Sequence, residues 1–380
     1  MRNIILIVAT TALFSCQANG RNLPALQADT ADVGSQPEKR RISLLFAGDL
    51  MQHGPQIKAA LQKDGTYNYD ECFARVKEEM ERADVAIGNF EVTLGGKPYT
   101  GYPQFRAPDE YLQACIDAGF DILLTANNHC MDSYRQGLER TILTMDSMGV
   151  QHLGTYIDQA ARDSTYPLLL EKNGFRIALL NFTYDTNGIA IEAPSVVNLI
   201  DTVQILADLE KARAMLPHAI IALPHWGIEY QQLPSAQQRE LAQWLLDNGV
   251  DHIIGGHPHV AQPLELSDDS LHLVAWSLGN VVSNQSKPNT YGGYMVRMEL
   301  REGGDDTPYG KAKLEDVAYM LYWVSRPNDN HFKHNYRILP IDVPDSELTG
   351  MERKQRYAIR SSMRRLMERH TKGVREQPFE

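Results

Sequence analysis

The chain has 380 residues, of which 43% are hydrophobic and 22% are charged, a composition typical of a globular protein with a substantial core. Its formal net charge of -11 at pH 7 disfavours nucleic acid as a partner, because binding to a phosphate backbone requires clustered Lys and Arg. An anionic substrate would therefore have to be held by metal ions or by a local basic patch.

Residues 1–15 have the pattern of an export signal. Arg2 precedes an apolar run, 4–14, that is too short for a permanent membrane-spanning helix. The run ends in Leu13-Phe14-Ser15-Cys16, which resembles a bacterial lipoprotein cleavage box, so Cys16 is the predicted lipidation site. Residues 16–40 would then be a lipid anchor and flexible tether, holding an exported protein at the periplasmic or cell-surface face of a membrane. A plain signal peptide with an incidental cysteine is the alternative.

Strand-like and helix-like segments alternate after residue 41. Strands are predicted at 42–46, 85–87, 121–125, 219–223 and 252–254, and helices at 69–82, 108–118, 134–148, 200–216 and 236–248. Asn173-Gly174 between two apolar runs predicts a tight hairpin, and 271–278 and 294–300 predict later antiparallel strands. The pattern predicts an α/β protein with two helix-covered sheets in one continuous domain over 41–300.

Residues 301–380 are predicted to be a C-terminal extension that ends in a basic amphipathic helix. Between 351 and 380 there are nine Lys and Arg against four Glu. Four apolar side chains share one helical face: Ile359, Met363, Leu366 and Met367. The helix either docks through this stripe with its charged face in solvent, or it contacts anionic lipid or polymer.

Three cysteines remain in the chain after Cys16. Cys72 and Cys115 lie in helix-like segments and are predicted to be buried apolar side chains and not a disulfide. Cys130 adjoins His129, so a role in a site is the alternative to burial.

Five short polar motifs follow strand-like runs. They are Gly48-Asp49, Gly88-Asn89-Phe90-Glu91, Asn127-Asn128-His129, His225-Trp226-Gly227-Ile228-Glu229 and Gly256-His257-Pro258-His259. Parallel strands end at one edge of a sheet, so these motifs are predicted to converge on a composite site. Imidazole and carboxylate groups suit divalent transition metals, which makes Asp49, Glu91, Asn128, His225, His257 and His259 candidate ligands. Taken singly, His225 could be a core histidine and the two asparagines helix caps; the series indicates a site.

The motif series is similar to that of the poly-γ-glutamate capsule biosynthesis (CapA-type) family. The similarity extends over roughly residues 42–300 and includes Ile42-Ser43-Leu44-Leu45-Phe46-Ala47-Gly48-Asp49, Val92-Thr93-Leu94, Asp132 and Ser277-Leu278-Gly279-Asn280. That family resembles the calcineurin-like metallophosphoesterases. The resemblance therefore implies a metallophosphoesterase-like, four-layer α-β-β-α sandwich with a two-metal centre.

The resemblance also implies roles for individual residues. By position, the metal ligands would be Asp49, Asn89, Asn128, His225, His257 and His259. His129 would assist the leaving group, and Glu229 is a second catalytic candidate as a carboxylate near the substrate. Met51 replaces the His of the Asp-x-His motif, and Asn89 is neutral where the bridging ligand is anionic, although Glu91 could substitute for it. Both departures weaken one metal position, so one or two ions of Mn, Zn or Fe remain open.

The function implied by this resemblance is capsule biosynthesis at the cell envelope. The protein would act on, or handle, an anionic envelope polymer or its precursor, with membrane-embedded synthesis proteins as partners. Two alternatives stay open: a non-catalytic polymer-binding or assembly subunit, and a generic metal-dependent phosphoesterase. The sequence has no Gly-rich nucleotide loop with Lys, which disfavours an ATP-driven ligase working by itself.

Overall fold

Two β-sheets lie face to face, with helices on their outer surfaces. The computed structural model describes residues 39–303, 310–327 and 335–379. The predicted export signal, Cys16 and nearly all of the predicted tether fall on residues 1–38, outside the described residues. Within the described residues, no helix is both long and apolar enough to cross a membrane.

The helices and strands are numbered in chain order. The strands are β1 (Arg41–Leu50), β2 (Val85–Phe90), β3 (Ile122–Leu124), β4 (Gln151–Leu153), β5 (Thr155–Tyr156), β6 (Leu168–Lys172), β7 (Phe175–Thr183), β8 (Val196–Val197), β9 (Ala219–His225), β10 (His252–Ile254), β11 (Leu264–Leu266), β12 (Leu273–Ala275), β13 (Asn280–Val282), β14 (Gly292–Arg301), β15 (Lys313–Ser325), β16 (Arg337–Pro340) and β17 (Arg375–Glu376). The α-helices are α1 (Gly54–Ala60), α2 (Asp70–Phe73), α3 (Lys77–Arg82), α4 (Asp109–Asp117), α5 (Tyr134–Met148), α6 (Gln159–Thr165), α7 (Thr202–Ala214), α8 (Ala236–Asp247) and α9 (Gly350–His370), and a 3₁₀ helix covers Asp345–Glu347.

The first sheet is built around β1. Its strand order is β16-β15-β14-β1-β2-β3-β4. Strands β1 to β4 run parallel, so their carboxyl ends share one edge, while β14, β15 and β16 continue the sheet antiparallel. Strand β13 pairs in parallel with the end of β1, opposite Asp49. The carboxyl ends of β1 and β2 therefore each have a further neighbouring strand, β13 beside β1 and β3 beside β2.

The second sheet has the strand order β11-β12-β10-β9-β7-β6. Strands β7, β9, β10 and β12 are parallel, whereas β6 and β11 pair antiparallel at the two edges. Asn173 and Gly174 join β6 to β7 with φ angles of 51° and 77°, the left-handed conformations that a two-residue hairpin turn needs. The predicted hairpin is confirmed.

Side-chain alternation along β1 divides the core into two layers. Ile42, Leu44 and Phe46 pack against the second sheet. Leu45 and Leu50 point to the opposite face, where they pack with buried residues of α2 to α5. Residues of α7 and α8 cover the second sheet, including Leu209 and Leu245. The predicted α/β class and four-layer α-β-β-α order are confirmed.

Two predicted elements differ in the structure. The helix predicted at 69–82 is broken into α2 and α3, because the chain makes a tight turn in which the Val76 N–H donates to the Phe73 carbonyl (2.9 Å). This turn lets both side chains enter the core. The segment 271–278 was expected to be an antiparallel strand, but β12 is parallel to β10 and antiparallel only to β11.

The residues after 300, predicted as an extension, contribute three strands to the first sheet. Strand β15 lies between β14 and β16, and β17 pairs with β15. Trp323 of β15 is fully buried in the core between the sheets. These residues are therefore part of the sandwich itself.

The cysteines of the described residues are buried free thiols. Burial raises the pKa of Cys72 and of Cys115, and it raises the pKa of Cys130 to about 12. Cys130 therefore lacks the thiolate character that a nucleophilic or metal-binding cysteine needs.

The C-terminal helix α9 is docked on the sheet. All four side chains of its predicted apolar stripe are buried: Ile359, Met363, Leu366 and Met367. Thr349 and Glu352 form a reciprocal capping box at its start. Three of its arginines pair with carboxylates of the same protein: Arg356 pairs with Asp345, and Asp342 lies 3.2 Å from Arg360 and 2.9 Å from Arg364.

We expect the docked stripe to contribute strongly to stability. Met363 is 1% exposed, so Met363→Ala should lower the free energy of unfolding by about 2–4 kcal/mol through lost burial and a residual cavity. Met351→Ala is the matched control, because Met351 lies on the same helix but is 50% exposed. Equal small changes in urea unfolding of the two variants would contradict the docking of α9.

Candidate metal centre

The carboxyl ends of parallel strands from both sheets meet at one edge of the sandwich. Asp49 is the second-last residue of β1 and pairs with Asn89 of β2, and His225 is the last residue of β9 and bridges to Gly256. All seven predicted ligands are at most 5% exposed: Asp49, Asn89, Glu91, Asn128, His225, His257 and His259. The structure therefore gathers the motifs into one buried polar cluster.

Asp49, Glu91 and His259 form the centre of this cluster. One potential ligand atom from each lies within 4.8 Å of the others. His259 Nδ1 is 3.2 Å from Asp49 Oδ2, and His259 Nε2 is 3.7 Å from Glu91 Oε1. Glu91 Oε1 is buried without a hydrogen-bond partner among the described residues. An unsatisfied buried carboxylate oxygen is costly, so this donor set fits a divalent cation.

Two further histidines border this centre. His225 Nε2 is 2.8 Å from Asn128 Oδ1 and 3.6 Å from Glu91 Oε1. The His257 ring lies 4.9 Å from the His225 ring, and its Nδ1 is buried without a hydrogen-bond partner in the described structure. Burial lowers the pKa of His257, so the ring is neutral and its nitrogen can serve as a ligand.

Asn89 lies between the carboxylates that come from the first sheet and His225, which comes from the second. Its Nδ2 lies 2.8 Å from Asp49 Oδ1, 3.1 Å from Glu91 Oε2 and 3.2 Å from His225 Nδ1. An amide nitrogen has two hydrogens, so in this orientation Asn89 donates to two of these acceptors at once and turns its nitrogen to them, not the oxygen that would coordinate a cation. Met51, the other departure from the two-metal pattern, is buried in the core below the first sheet. The arrangement therefore fits one ion better than two.

The backbone after β10 is shaped to fit this cluster. A Cβ atom on Gly256 would lie 3.0 Å from Asp49 Oδ1 and 3.6 Å from His225 Nδ1, within the space that the side chains surround. His257 and His259 have φ angles of 97° and 58°, which are unfavourable for residues with a side chain. Such strain concentrates at functional sites, where surrounding contacts hold it in place.

The two predicted catalytic residues lie in different surroundings. His129 is buried, its Nδ1 is 2.8 Å from Asp132 Oδ2, and its ring packs edge-on against Phe105. It is not part of the Asp49–Glu91–His259 group, but it lies near enough to His257 for the charges of the two rings to interact. Glu229 is exposed and adjoins Tyr230; burial of the phenol and the neighbouring Glu229 carboxylate raise the pKa of Tyr230.

Several residues near the centre carry no motif in the sequence. The Tyr184 ring lies 4.5 Å from that of His257, and Asn187 Oδ1 accepts a hydrogen bond from Asn128 Nδ2 (3.1 Å). Both belong to the loop after β7. Strand β7 lies beside β9, which ends at His225, so the loop after β7 starts at the same edge of the sheet. This adjacency is the signal that could have identified the two residues. His53, four residues after Asp49, likewise belongs to none of the five motifs.

The opposite charges of Asp49 and His259 stabilise each other. Burial alone would raise the pKa of Asp49 and lower that of His259. The hydrogen bond and charge of His259 instead lower the pKa of Asp49, while Glu91 and Asp49 raise the pKa of His259 to about 9. In the metal-free protein His259 is therefore protonated, and its proton competes with a metal ion for the same ligands.

Known proteins match the part of the chain that carries these motifs. The family described as "Bacterial capsule synthesis protein PGA_cap" matches residues 43–285. The chain is 29% identical over 281 residues to the capsule biosynthesis protein CapA of Bacillus anthracis, covering 70% of this chain and 66% of that protein. It is also 29% identical over 281 residues to the PGA biosynthesis protein CapA of Bacillus subtilis, covering 69% of each. The matches thus span about two thirds of the length of these relatives.

Similar solved structures include phosphoesterases. The calcineurin-like phosphoesterase YfkN of Bacillus subtilis has a TM-score of 0.45 and 15% sequence identity, covering 87% of this chain and 99% of that chain. The NAD nucleotidase of Haemophilus influenzae has a TM-score of 0.45 and 12% identity, covering 90% of this chain and 58% of that chain.

The Asp49–His259 pair should make the stability of the metal-free protein depend on pH. Because the pKa of His259 rises on folding from about 6.5 to about 9, its contribution is complete below pH 6.5 and is lost as the pH rises through 9. The stability difference between wild type and His259→Gln should therefore shrink by roughly 3 kcal/mol at most over this range. Chemical unfolding at several pH values measures it.

The control for this experiment is His252→Gln. His252 is a buried histidine outside the cluster, and burial lowers its pKa to about 4. Its substitution should change stability by an amount that is constant above pH 7. Parallel pH curves for the two variants would contradict the assignment of the raised pKa to His259.

Proposed function

This chain belongs to the family of bacterial capsule synthesis proteins described as PGA_cap, and on that premise we propose that it is an exported protein whose metal-dependent site acts on an anionic envelope polymer or its precursor. The observation that carries this proposal is the buried Glu91 Oε1, which has no hydrogen-bond partner among the described residues and lies near His225 and His259. The name of the Bacillus subtilis relative, a PGA biosynthesis protein, supports a polymer as the substrate class.

Each residue of the site has a distinct role in this proposal. Asp49, Glu91 and His259 would hold one divalent ion of Mn, Zn or Fe, with His257 and His225 beside it. Such an ion supplies positive charge that polarises a substrate oxygen. His129, oriented by Asp132, presents its Nε2 for a hydrogen bond or a proton transfer to the substrate.

A second function, polymer binding without turnover, is favoured by one observation. The Asn89 amide donates hydrogen bonds where a two-metal centre would have an anionic bridging ligand. A site with one ion can hold an anionic group of a chain and present it to a membrane-embedded synthesis partner. Turnover therefore has to be tested separately from metal binding.

Metal titration and a hydrolysis assay separate these functions. Calorimetric titration of the purified chain with Mn²⁺ should show one site. Glu91→Gln should weaken binding by about 100-fold or more, because even residues that only orient metal ligands contribute roughly 10-fold to 100-fold to affinity. His129→Ala should retain the ion and lose hydrolysis of a generic phosphodiester such as bis(4-nitrophenyl) phosphate.

Glu229→Gln is the matched control, because Glu229 is an exposed carboxylate at the same site. It should bind Mn²⁺ as the wild type does. Absence of binding of Mn²⁺, Zn²⁺ or Fe²⁺ by the wild type would refute the metal site. Metal binding without any hydrolysis would support the binding function instead.

We further propose that Cys16 is lipidated and anchors the chain to a membrane. The support is the Leu13-Phe14-Ser15-Cys16 sequence after the apolar run. Cys16→Ser should shift the chain from the membrane fraction to the soluble fraction, or leave it unprocessed, as measured by fractionation and mass spectrometry. Cys72→Ser, which alters a buried thiol, should leave the distribution unchanged. Unaltered processing and membrane retention of Cys16→Ser would refute the anchor.

A further inference from the structure

His53 stands beside the metal centre without belonging to it. It follows β1 by three residues, and its ring packs edge-on against Phe105 at a centroid distance of 4.9 Å. Phe105 packs in the same manner against His129, at 4.6 Å. A single aromatic ring thus contacts both histidines. His53 is also close enough to His259 for the charges of the two imidazoles to interact.

The contacts of His53 define which nitrogen carries the proton. The backbone N–H of Asn284 points at Nδ1 (3.3 Å) and has no other acceptor among the described residues. Gln56 Oε1 lies 3.2 Å from the same nitrogen, but it already accepts the backbone N–H of His53 (2.8 Å). Only the tautomer with its proton on Nε2 pairs both backbone donors, the Asn284 N–H with Nδ1 and the His53 N–H with Gln56 Oε1, so we assign the proton of the neutral ring to Nε2.

The imidazole of His53 is neutral under ordinary conditions. Burial lowers the pKa of His53 to about 4, although the contact with Gln56 opposes this change. Its Nε2 has no hydrogen-bond partner in the described part of the chain. His53 thus offers an uncharged N–H donor that does not repel a cation bound nearby.

The loop that orients His53 also brings a positive charge to the site. Lys287 lies in the same loop as Asn284, and its Nζ is 3.8 Å from the centre of the Tyr230 ring. The Tyr230 ring in turn lies 6.2 Å from that of His259. Lys287 forms no ion pair with a carboxylate of the described residues. A donor and a cation beside the metal centre together suit an anionic ligand.

We propose that His53 is a substrate-contacting residue whose Nε2–H donates a hydrogen bond to an anionic oxygen, of a phosphoryl or carboxylate group, held at the Asp49–Glu91–His259 centre. This inference rests on the proposed function of that centre. The sequence lacks a histidine at Met51, where a second metal ligand would be expected; His53 supplies an imidazole two residues later in a different role. Met51 itself is used for packing in the core.

The test uses the full chain in its Mn²⁺-loaded form, with inorganic phosphate and acetate titrated separately as probes. His53→Phe keeps a ring against Phe105 but removes the donor. It should bind the preferred probe about 10-fold to 100-fold more weakly, the usual effect of losing a hydrogen bond to a charged group, with unchanged Mn²⁺ affinity. His53→Gln, whose amide N–H can replace Nε2–H, should recover part of the loss.

His218→Phe is the matched control. Its Nδ1 also accepts a backbone N–H, from Arg176 (2.8 Å), and its ring also packs edge-on against a phenylalanine, Phe175. It precedes β9, at the opposite end of the strand from His225. His218→Phe should bind both metal and probe as the wild type does, so a change caused only by lost packing would be visible there.

The outcomes separate this inference from the proposed function. Equal probe affinities of wild type and His53→Phe, or no probe binding to either, would overturn the role of His53. The titrations are repeated with protein from which a chelator has removed the metal. Probe binding that depends on His53 in a protein that binds no Mn²⁺ would refute the metal centre and support the anion contact. Preference for phosphate or for acetate identifies the anion.

Discussion

The burial of two carboxylates next to each other constrains the whole arrangement. Asp49 and Glu91 are both fully buried, and removing charged groups from water is expensive unless opposite charge and hydrogen bonds compensate. The protein provides that compensation from histidines and from the Asn89 amide. One oxygen of Glu91 is left without a hydrogen-bond partner among the described residues, and it marks where further positive charge is needed.

The fold meets this constraint by dividing the ligands between its two sheets. The carboxylates come from the ends of β1 and β2 in the first sheet, and the imidazoles come from the end of β9 and the segment after β10 in the second. Any ion at the centre would therefore bind to both layers of the sandwich. The packing of the two sheets and the geometry of the site depend on each other for this reason.

Much of this arrangement could be predicted from local sequence, and the rest could not. Apolar runs followed by Asp, Asn or His indicate strand ends, and Asn173-Gly174 fixes a turn through backbone conformation alone. The role of His53 depends on a backbone N–H of Asn284, 231 residues away, which no local pattern reveals. Likewise, the apolar run of β15 could belong to any buried strand, and only its pairing with β14 and β16 shows that it belongs to the first sheet.

The wide spacing of the ligands has a consequence for when the ion is acquired. Asp49 and His259 are 210 positions apart, so their side chains meet only after most of the chain has been synthesised and both sheets have formed. A polypeptide that crosses a membrane unfolded cannot carry an ion at such a site. It would take its ion from the compartment in which it folds, and metal availability there would select the ion along with ligand chemistry.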